Sequence, residues 1–290
     1  MKKYIIAALF AFCLGLPLFS QQMDPKNLPE MKIKCQGIER SFYLYLPENL
    51  PEGAPVVFNL HGYSIKHPKA PDWCKVADEE KFAVCLPCAA LDPNGEHGWN
   101  VGYNMQKGFK VDDIKFLKVL IKHLNKEYGL SRENVFVTGH SNGGEMCYLL
   151  AYEAPDMFRA IAPISGLTMK WMYDSLKPKK AVPLLEIHGT EDHTSEWNGA
   201  LDDEYWGPYI SVPIAVGVWV VAARCDHELT SELAPAAPEG HRSIIHRYVS
   251  DSNGGVEVQL YEVIGAGHGF SGKDLGCARI TWEFFKKYMK

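Results

Sequence analysis

Short, mostly apolar runs alternate along this chain with stretches in which apolar residues recur at helical spacing. The short runs, which are typical of buried strands, lie at residues 41–46, 55–60, 82–86, 134–138, 160–164, 182–187 and 256–264. The helix-spaced stretches lie at residues 111–128, 144–153 and 275–289. Strands that alternate with helices predict an α/β fold, with a mostly parallel central sheet covered by helices on both faces.

Residues 193–254 depart from this pattern because they are rich in proline, glycine and aromatic residues. Trp197, Tyr205, Trp206 and Tyr209 fall within thirteen positions of one another. Long irregular segments inside a compact domain are commonly functional insertions. We therefore expect one domain over residues 21–290 that carries a lid-like insertion at residues 193–254.

The first twenty residues have the pattern of a signal peptide. Lys2 and Lys3 precede an apolar run at residues 4–19, and the small residue Ser20 follows it. A retained membrane anchor is the alternative, but the run is slightly short for a span. We expect cleavage near Ser20 and a secreted or periplasmic protein that is not stably inserted in a membrane.

Composition and charge are those of an ordinary globular protein, with 47% hydrophobic and 22% charged residues in a chain of 290. Loss of a signal peptide with two lysines and no acidic residue changes the formal net charge from −5 to −7. The positive charges are scattered, and the lysines at residues 177–180 are typical of a solvated loop. These features argue against a nucleic-acid partner.

Seven cysteines follow the predicted signal peptide, so at least one thiol has no intramolecular disulfide partner. Cys85 and Cys88 form a C-x-x-C pair, which raises the possibility of a metal or redox site. The pair lies at the end of an apolar strand and has no matching second pair downstream. We therefore expect neither a metal ion nor an organic cofactor.

The residues that indicate chemistry begin with Gly139-His140-Ser141-Asn142-Gly143, which fits the pattern G-x-S-x-G. A predicted strand ends just before it and a predicted helix begins just after it. A sharp strand-to-helix turn of this kind lifts a serine hydroxyl above the sheet of α/β-hydrolases. The pattern predicts Ser141 as a nucleophile, and an ordinary turn with a surface serine is the alternative.

In that architecture the acid and the histidine follow the serine in the chain. His268 lies in a glycine-rich loop after the last predicted strand, which makes it the predicted base, ahead of His227, His241 and His246. Asp192 lies on the turn after the strand at residues 182–187 and is the predicted acid. Glu191 is its nearest rival, and Asp202 and Asp203 are more distant ones. Asp112 and Asp113 precede the nucleophile and are expected to cap a helix.

Acyl transfer also needs hydrogen-bond donors for the developing oxyanion. The turn itself positions the backbone N–H of Asn142. The second donor is expected from the loop after the strand at residues 55–60, at Tyr63 or alternatively at Gly62. His61 lies too early in the chain for the base and is expected to brace this loop.

With these residues in place, the chain resembles relatives of polyhydroxybutyrate depolymerases and feruloyl esterases, in the broad sense of carbohydrate esterase family 1. The resemblance rests on residues 37–47, Trp99-Asn100 with Val111-Asp112-Asp113, residues 135–166, His188-Gly189-Thr190-Glu191-Asp192, and Gly267-His268. It implies the same Ser141, Asp192 and His268 triad on an α/β-hydrolase fold. The segment at residues 269–272 departs from the family's usual Trp-Pro-Gly-like sequence, and this departure concerns the substrate.

The resemblance implies a secreted serine carboxylesterase that removes feruloyl or acetyl groups from plant polysaccharide through an acyl-enzyme. A polyhydroxyalkanoate depolymerase is the nearest alternative, followed by a serine peptidase and by a non-catalytic binding domain. Trp206 and Trp99 are candidates for stacking on an aromatic acyl group or a sugar ring. The alternative is that the aromatic residues of the insertion pack a small lid core.

Overall fold

The computed structural model describes residues 24–290, so the predicted signal peptide lies outside the described residues. The strands are β1 (Met31–Cys35), β2 (Ile38–Tyr45), β3 (Val56–Leu60), β4 (Ala83–Pro87), β5 (Val135–His140), β6 (Ile161–Ile164), β7 (Leu184–Gly189), β8 (His227–Leu233), β9 (Ser243–Val249) and β10 (Val258–Val263). The α-helices are α1 (Pro71–Glu80), α2 (Asp113–Tyr128), α3 (Asn142–Glu153), α4 (Lys170–Ser175), α5 (Val212–Ala222) and α6 (Cys277–Lys286). Within this part of the chain, no helix is both long enough and apolar enough to cross a membrane.

The strands form one mixed sheet in the order β1-β2-β4-β3-β5-β6-β7-β10-β9-β8. The six central strands β4-β3-β5-β6-β7-β10 pair in parallel. Strands β1 and β2 at one end of the sheet, and β8 and β9 at the other, pair antiparallel with their neighbours. Parallel pairing places the carboxyl ends of β3, β5, β7 and β10 at one edge of the sheet. The segments that follow these four strands therefore meet at a common place.

Helices cover both faces of the sheet, and each face has its own hydrophobic core. Alternate residues of β3 show the division, because Phe58 packs in the core with α2, α3 and α5, whereas Val57 packs in the core with α1 and α6. On the second face, Phe82 stacks on Trp282 with ring centroids 3.9 Å apart. The expectation of a mostly parallel sheet covered on both faces is confirmed.

Every strand and helix predicted from the apolar pattern has a counterpart within a few residues of the predicted bounds. The helix predicted at residues 111–128, for example, is α2 (Asp113–Tyr128). Outside residues 193–254, the pattern missed β1, α1 and α4. Strand β1 is short and half-exposed, so it carries little apolar signal.

The expectation that residues 193–254 are a lid-like insertion of loops is wrong for most of that segment. Helix α5 packs in the core beside α3, where Trp219 lies 4.9 Å from the Tyr152 ring. Strands β8 and β9 extend the sheet beyond β10. The proline- and glycine-rich joins between these elements concealed them. Residues 193–211 and the connection at residues 234–242 are the largely irregular parts on the side of the candidate site.

The seven cysteines of residues 24–290 are all free thiols, and five of them are buried. Burial raises the pKa of Cys85 and of Cys88 above the ordinary thiol value, so both thiols stay protonated at neutral pH. Among the described residues, no group of three or more histidine, cysteine, aspartate or glutamate side chains could hold a metal ion.

The start of helix α2 shows that its two adjacent aspartates differ in role. Asp112 is the N-cap and accepts a hydrogen bond from the Lys115 N–H at 2.8 Å, as expected. Asp113 is instead buried, and its Oδ1 accepts a hydrogen bond from Arg40 at 2.7 Å. The Arg40 guanidinium also lies 3.9 Å from the centroid of the Phe116 ring. The Arg40–Asp113 pair thus ties strand β2 to α2.

We expect Asp113→Ala to lower the free energy of unfolding by about 3–5 kcal/mol, because it leaves the Arg40 charge buried without a counter-charge. Asp112→Ala is the matched control and should cost only about 0.5–2 kcal/mol, the value of a lost N-cap. Urea unfolding of the two variants measures the difference. Equal losses for the two would show that the buried ion pair is not the stronger constraint.

Candidate active site

Ser141 lies at the junction of β5 and α3, where the chain turns sharply. Its backbone has φ 55° and ψ −124°, in a region that favours glycine and that other residues rarely adopt. Strained conformations of this kind persist only where the surrounding structure holds them, and they are concentrated at functional sites. The geometry is that of a nucleophile elbow.

The two glycines that flank Ser141 are required by close backbone contacts. A Cβ on Gly139 would lie 2.4 Å from the carbonyl oxygen of Gly143. A Cβ on Gly143 would lie 2.2 Å from the carbonyl oxygen of Leu60, at the end of β3. No side chain fits at these distances, so the G-x-S-x-G pattern follows from the packing of α3 against β3 and β5.

Asp192 and His268 meet at the carboxyl ends of the neighbouring parallel strands β7 and β10. The Oδ2 atom of Asp192 lies 2.8 Å from the Nδ1 atom of His268. The His268 ring is half-buried and lies against the ring of His140, the residue before Ser141, with centroids 4.8 Å apart. The structure therefore brings the three predicted residues, Ser141, Asp192 and His268, to one place.

Asp192 is buried, and hydrogen bonds satisfy its carboxylate. The N–H groups of Thr194 and Ser195 both donate to its Oδ1 at 2.8 Å. Burial alone would raise the pKa of Asp192, but the hydrogen bonds from His268, Ser195 and Thr194 outweigh it and hold this pKa below its ordinary value. Asp192 is therefore ionised at neutral pH and can fix the His268 tautomer.

The rival acids and bases lie elsewhere. The Glu191 side chain is exposed, Asp202 is exposed, and Asp203 accepts hydrogen bonds from the N–H groups of Tyr205 and Trp206. The three rival histidines pair with other acids: His227 with Asp226, His241 with Asp274, and His246 with Glu228 and Glu262.

The backbone of His268 is held by two side chains that the sequence pattern did not single out. The carbonyl of His268 lies 2.7 Å from Nε2 of His140, and it accepts a hydrogen bond from the Ser165 hydroxyl at 3.1 Å. A carbonyl only accepts hydrogen bonds, so His140 carries its proton on Nε2. These two bonds link the loop of His268 to the strand ends beside Ser141.

The loop after β3 passes directly beside Ser141. A Cβ on Gly62 would lie 3.5 Å from the Cβ of Ser141. Asn142 is the first residue of α3, where a backbone N–H has no acceptor within its own helix. The structure thus places Tyr63 and Asn142, the two predicted oxyanion donors, on segments that adjoin the Ser141 side chain.

His61 braces this loop, as expected. Its Nε2 accepts a hydrogen bond from the Ala89 N–H at 2.9 Å, so the proton must be on Nδ1, which lies 2.7 Å from the Gly62 carbonyl oxygen. Burial lowers the pKa of His61 to about 4, and the ring is neutral at pH 7. A neutral ring bonded at both nitrogens is suited to support rather than to proton transfer.

Trp99 is not available as a stacking surface for a substrate, which corrects the expectation for this residue. Its side chain is completely buried. Its indole Nε1–H donates to the His61 carbonyl at 2.9 Å, and its backbone N–H donates to Oδ1 of Asn142 at 2.7 Å. Trp99 therefore holds the loop after β3 and the first residue of α3 in register.

Trp206 is half-buried and belongs to an aromatic cluster beside the loop after β3. Its ring centroid lies 5.2 Å from that of Tyr63, 4.9 Å from that of Tyr103 and 4.9 Å from that of Tyr205. Tyr63 is fixed in turn by a hydrogen bond from its hydroxyl to Asp92 at 2.7 Å.

Buried acidic groups behind the site were missed at the level of sequence. Glu145, in the first turn of α3, accepts a hydrogen bond from the Tyr103 hydroxyl, and burial raises its pKa to about 7. Glu186 and His188, on β7, lie 2.9 Å apart with both side chains completely buried. The available signal was a glutamate inside the apolar run at residues 182–187, with a histidine on the same face of the strand.

The chain is similar in sequence to several known proteins. The model of the prolyl oligopeptidase family of peptidases matches residues 88–209. A bifunctional acetylxylan esterase/xylanase of Neocallimastix patriciarum is 29% identical over 54% of this chain and 22% of its own length. Feruloyl esterase B of Piromyces equi is 25% identical over 82% of this chain and 42% of its own length. Poly(3-hydroxyalkanoate) depolymerase C of Paucimonas lemoignei is 22% identical over 78% of this chain and 58% of its own length.

The chain thus spans less than half the length of the first two relatives. Among solved structures, an acetyl xylan esterase from Aspergillus awamori superposes with a TM-score of 0.58 at 18% identity, over 85% of this chain and 94% of the other. Such a likeness shows the fold alone. The chain therefore has an α/β-hydrolase fold, and its sequence is distantly homologous to feruloyl esterases, an acetylxylan esterase and a poly(3-hydroxyalkanoate) depolymerase.

Proposed function

We propose that this protein is a serine carboxylesterase that uses Ser141, His268 and Asp192. The observation that carries the proposal is the bond of 2.8 Å between His268 Nδ1 and a buried, ionised Asp192, beside a serine at φ 55°. A carboxylate that orients an imidazole next to a half-buried, strained serine is the arrangement that activates a hydroxyl nucleophile.

In this mechanism the Ser141 hydroxyl oxygen attacks the ester carbonyl carbon, and Nε2 of His268 takes its proton. The carbonyl oxygen becomes an oxyanion, which the N–H groups of Tyr63 and Asn142 stabilise. Collapse of this intermediate breaks the bond to the alcohol, which leaves with the proton from His268. Water, deprotonated by His268, then attacks the acyl-enzyme and releases the acid and the free Ser141 hydroxyl.

The substrate we propose is an ester of a feruloyl or acetyl group on a plant polysaccharide. The support is the similarity to a feruloyl esterase and to an acetylxylan esterase/xylanase, together with the aromatic cluster around Trp206. A polyhydroxyalkanoate is the second candidate, because the similarity to a depolymerase of that polymer covers 78% of the chain. Export by a signal peptide at residues 1–20 remains part of the proposal on the strength of the sequence pattern.

Ser141→Ala should abolish ester hydrolysis and covalent labelling by a fluorophosphonate, because only binding and oxyanion effects remain without the attacking oxygen. Ser252→Ala, at an exposed position, is the matched control and should behave like the wild type. Labelling and hydrolysis of p-nitrophenyl acetate measure both variants. The assignment fails if a folded Ser141→Ala keeps more than about one hundredth of the wild-type rate, since triad losses are usually far larger.

Asp192→Asn should lower kcat by up to roughly 10⁴-fold, because an amide allows the wrong tautomer of His268. Glu191→Gln changes the neighbouring acid in the same way and should have little effect, because that side chain is exposed. Steady-state kinetics of the two variants on one ester provide the comparison. A reversed result would move the acid one residue towards the N-terminus.

Trp206→Ala should raise KM for methyl ferulate several-fold more than KM for p-nitrophenyl acetate. A stacked ring pair contributes about 0.5–1.5 kcal/mol beyond area burial, and acetate has no ring to lose. Trp206→Phe keeps an aromatic surface and should restore most of the difference. Equal changes on both substrates, or a loss of thermal stability without a kinetic change, would assign Trp206 to packing instead.

A further inference from the structure

A completely buried glutamate–histidine pair lies directly behind Asp192. Glu186 and His188 are two residues apart on β7, so both side chains point to the same face of the sheet. Nδ1 of His188 lies 2.9 Å from Oε1 of Glu186. The other carboxylate oxygen of Glu186 accepts a hydrogen bond from the Tyr148 hydroxyl at 3.0 Å, and Oε1 also accepts the Gly166 N–H at 3.3 Å.

The hydrogen bonds of the His188 ring fix where its protons are. Nε2 lies 2.8 Å from the carbonyl oxygen of Ser195, and a carbonyl only accepts, so Nε2 carries a proton. Nδ1 and Glu186 then share one further proton, and the pair is neutral overall wherever that proton resides. Burial raises the pKa of Glu186 to about 7, which lets the carboxyl take part in this sharing at neutral pH.

The bond from His188 to Ser195 acts on the turn that holds the proposed catalytic acid. The Ser195 carbonyl accepts a hydrogen bond from Nε2 of His188, and the Ser195 N–H donates a hydrogen bond to Oδ1 of Asp192 at 2.8 Å. Nε2 of His188 also lies 3.5 Å from Oδ2 of Asp192, the oxygen that bonds His268. The His188 ring is thus linked to Oδ1 of Asp192 through Ser195 and lies near Oδ2 directly, but it does not contact Ser141.

We propose that His188, held in place by Glu186, is a positioning residue of the hydrolytic site, acting through the Ser195 turn on the orientation of Asp192. The inference rests on the proposed function of Asp192 and His268. A merely structural role is the competing interpretation, because any buried histidine needs hydrogen-bond partners. The two roles predict different kinetics. A positioning role through Asp192 affects kcat only while residue 192 is an aspartate that can orient His268, whereas a structural role affects kcat in either case.

Two amide substitutions distinguish the contribution of the His188 Nε2 atom from that of the Nδ1 atom. His188→Gln reaches about as far as Nε2 and can still donate to the Ser195 carbonyl, whereas His188→Asn reaches only the position of Nδ1. We expect His188→Asn to lower kcat by about 10- to 100-fold with KM unchanged, because a small displacement of a catalytic group is costly. His188→Gln should stay within a few-fold of the wild type.

The decisive measurement is a double-mutant cycle with Asp192→Asn, read as kcat on p-nitrophenyl acetate and as the rate of fluorophosphonate labelling. In the Asp192→Asn background, His188→Asn should cause no further loss. His246→Asn is the matched control and should leave kcat unchanged, because His246 also lies between two glutamates, at 2.8 and 3.2 Å, but on β9.

Equal losses from His188→Asn in both backgrounds would overturn the positioning role. The positioning role is also overturned if His188→Gln fails to fold or loses as much kcat as His188→Asn. If His188→Asn does not fold, the kcat of His188→Gln alone decides whether His188 has the positioning role. In each variant, only the part of the hydrolysis or labelling rate that the additional substitution Ser141→Ala removes is counted. The absence of any such part refutes the proposed function, whereas equal Ser141-dependent rates for the wild type and His188→Asn refute the role of His188 alone.

Discussion

The candidate site depends on the close approach of two stretches of backbone at Gly143. The carbonyl oxygen of Leu60 occupies the space that a Cβ on Gly143 would need, at 2.2 Å. Because no side chain separates them, the first turn of α3 lies directly on the end of β3. That contact brings the loop of Tyr63 beside Ser141 and the N–H of Asn142. Two donors can stabilise one oxyanion only if both point at the same position, and the glycine contact sets their separation.

Burying carboxyl groups behind such a site is costly unless each one is hydrogen-bonded. Asp192 accepts bonds from three donors and stays ionised. Glu145 and Glu186 lie deeper, and burial raises the pKa of each to about 7. Bonds to buried polar groups are also directional, so they fix the rotamers around them. The same interactions that offset the burial therefore determine where His268 points.

The meeting of Ser141, Asp192 and His268 was predictable because a parallel sheet gathers the carboxyl ends of its strands. The G-x-S-x-G motif and the chain order of serine, acid and histidine indicated which strand ends to combine. The Glu186–His188 pair was harder to predict. Its alternation along β7 puts both side chains on one face, but nothing local shows that Tyr148 and the turn at Ser195 cover that face. Residues 193–254 were misjudged because glycine and proline at the joins hid an all-round apolar helix and an edge hairpin. The amino-acid composition of a segment reflects its loops as strongly as it reflects its helices and strands.

Two tryptophans with similar sequence signals have opposite roles in the structure, and burial separates them. Trp99 is enclosed and holds backbone in place, whereas Trp206 is half-buried and makes an edge-to-face contact with Tyr63. Under the proposed mechanism, Tyr63 also supplies a donor to the oxyanion. An acyl ring held against Trp206 would thus press on the residue that stabilises the transition state. Binding energy accelerates a reaction only where it is expressed in the transition state, and this contact provides a physical route for a remote aromatic group to raise kcat as well as to lower KM.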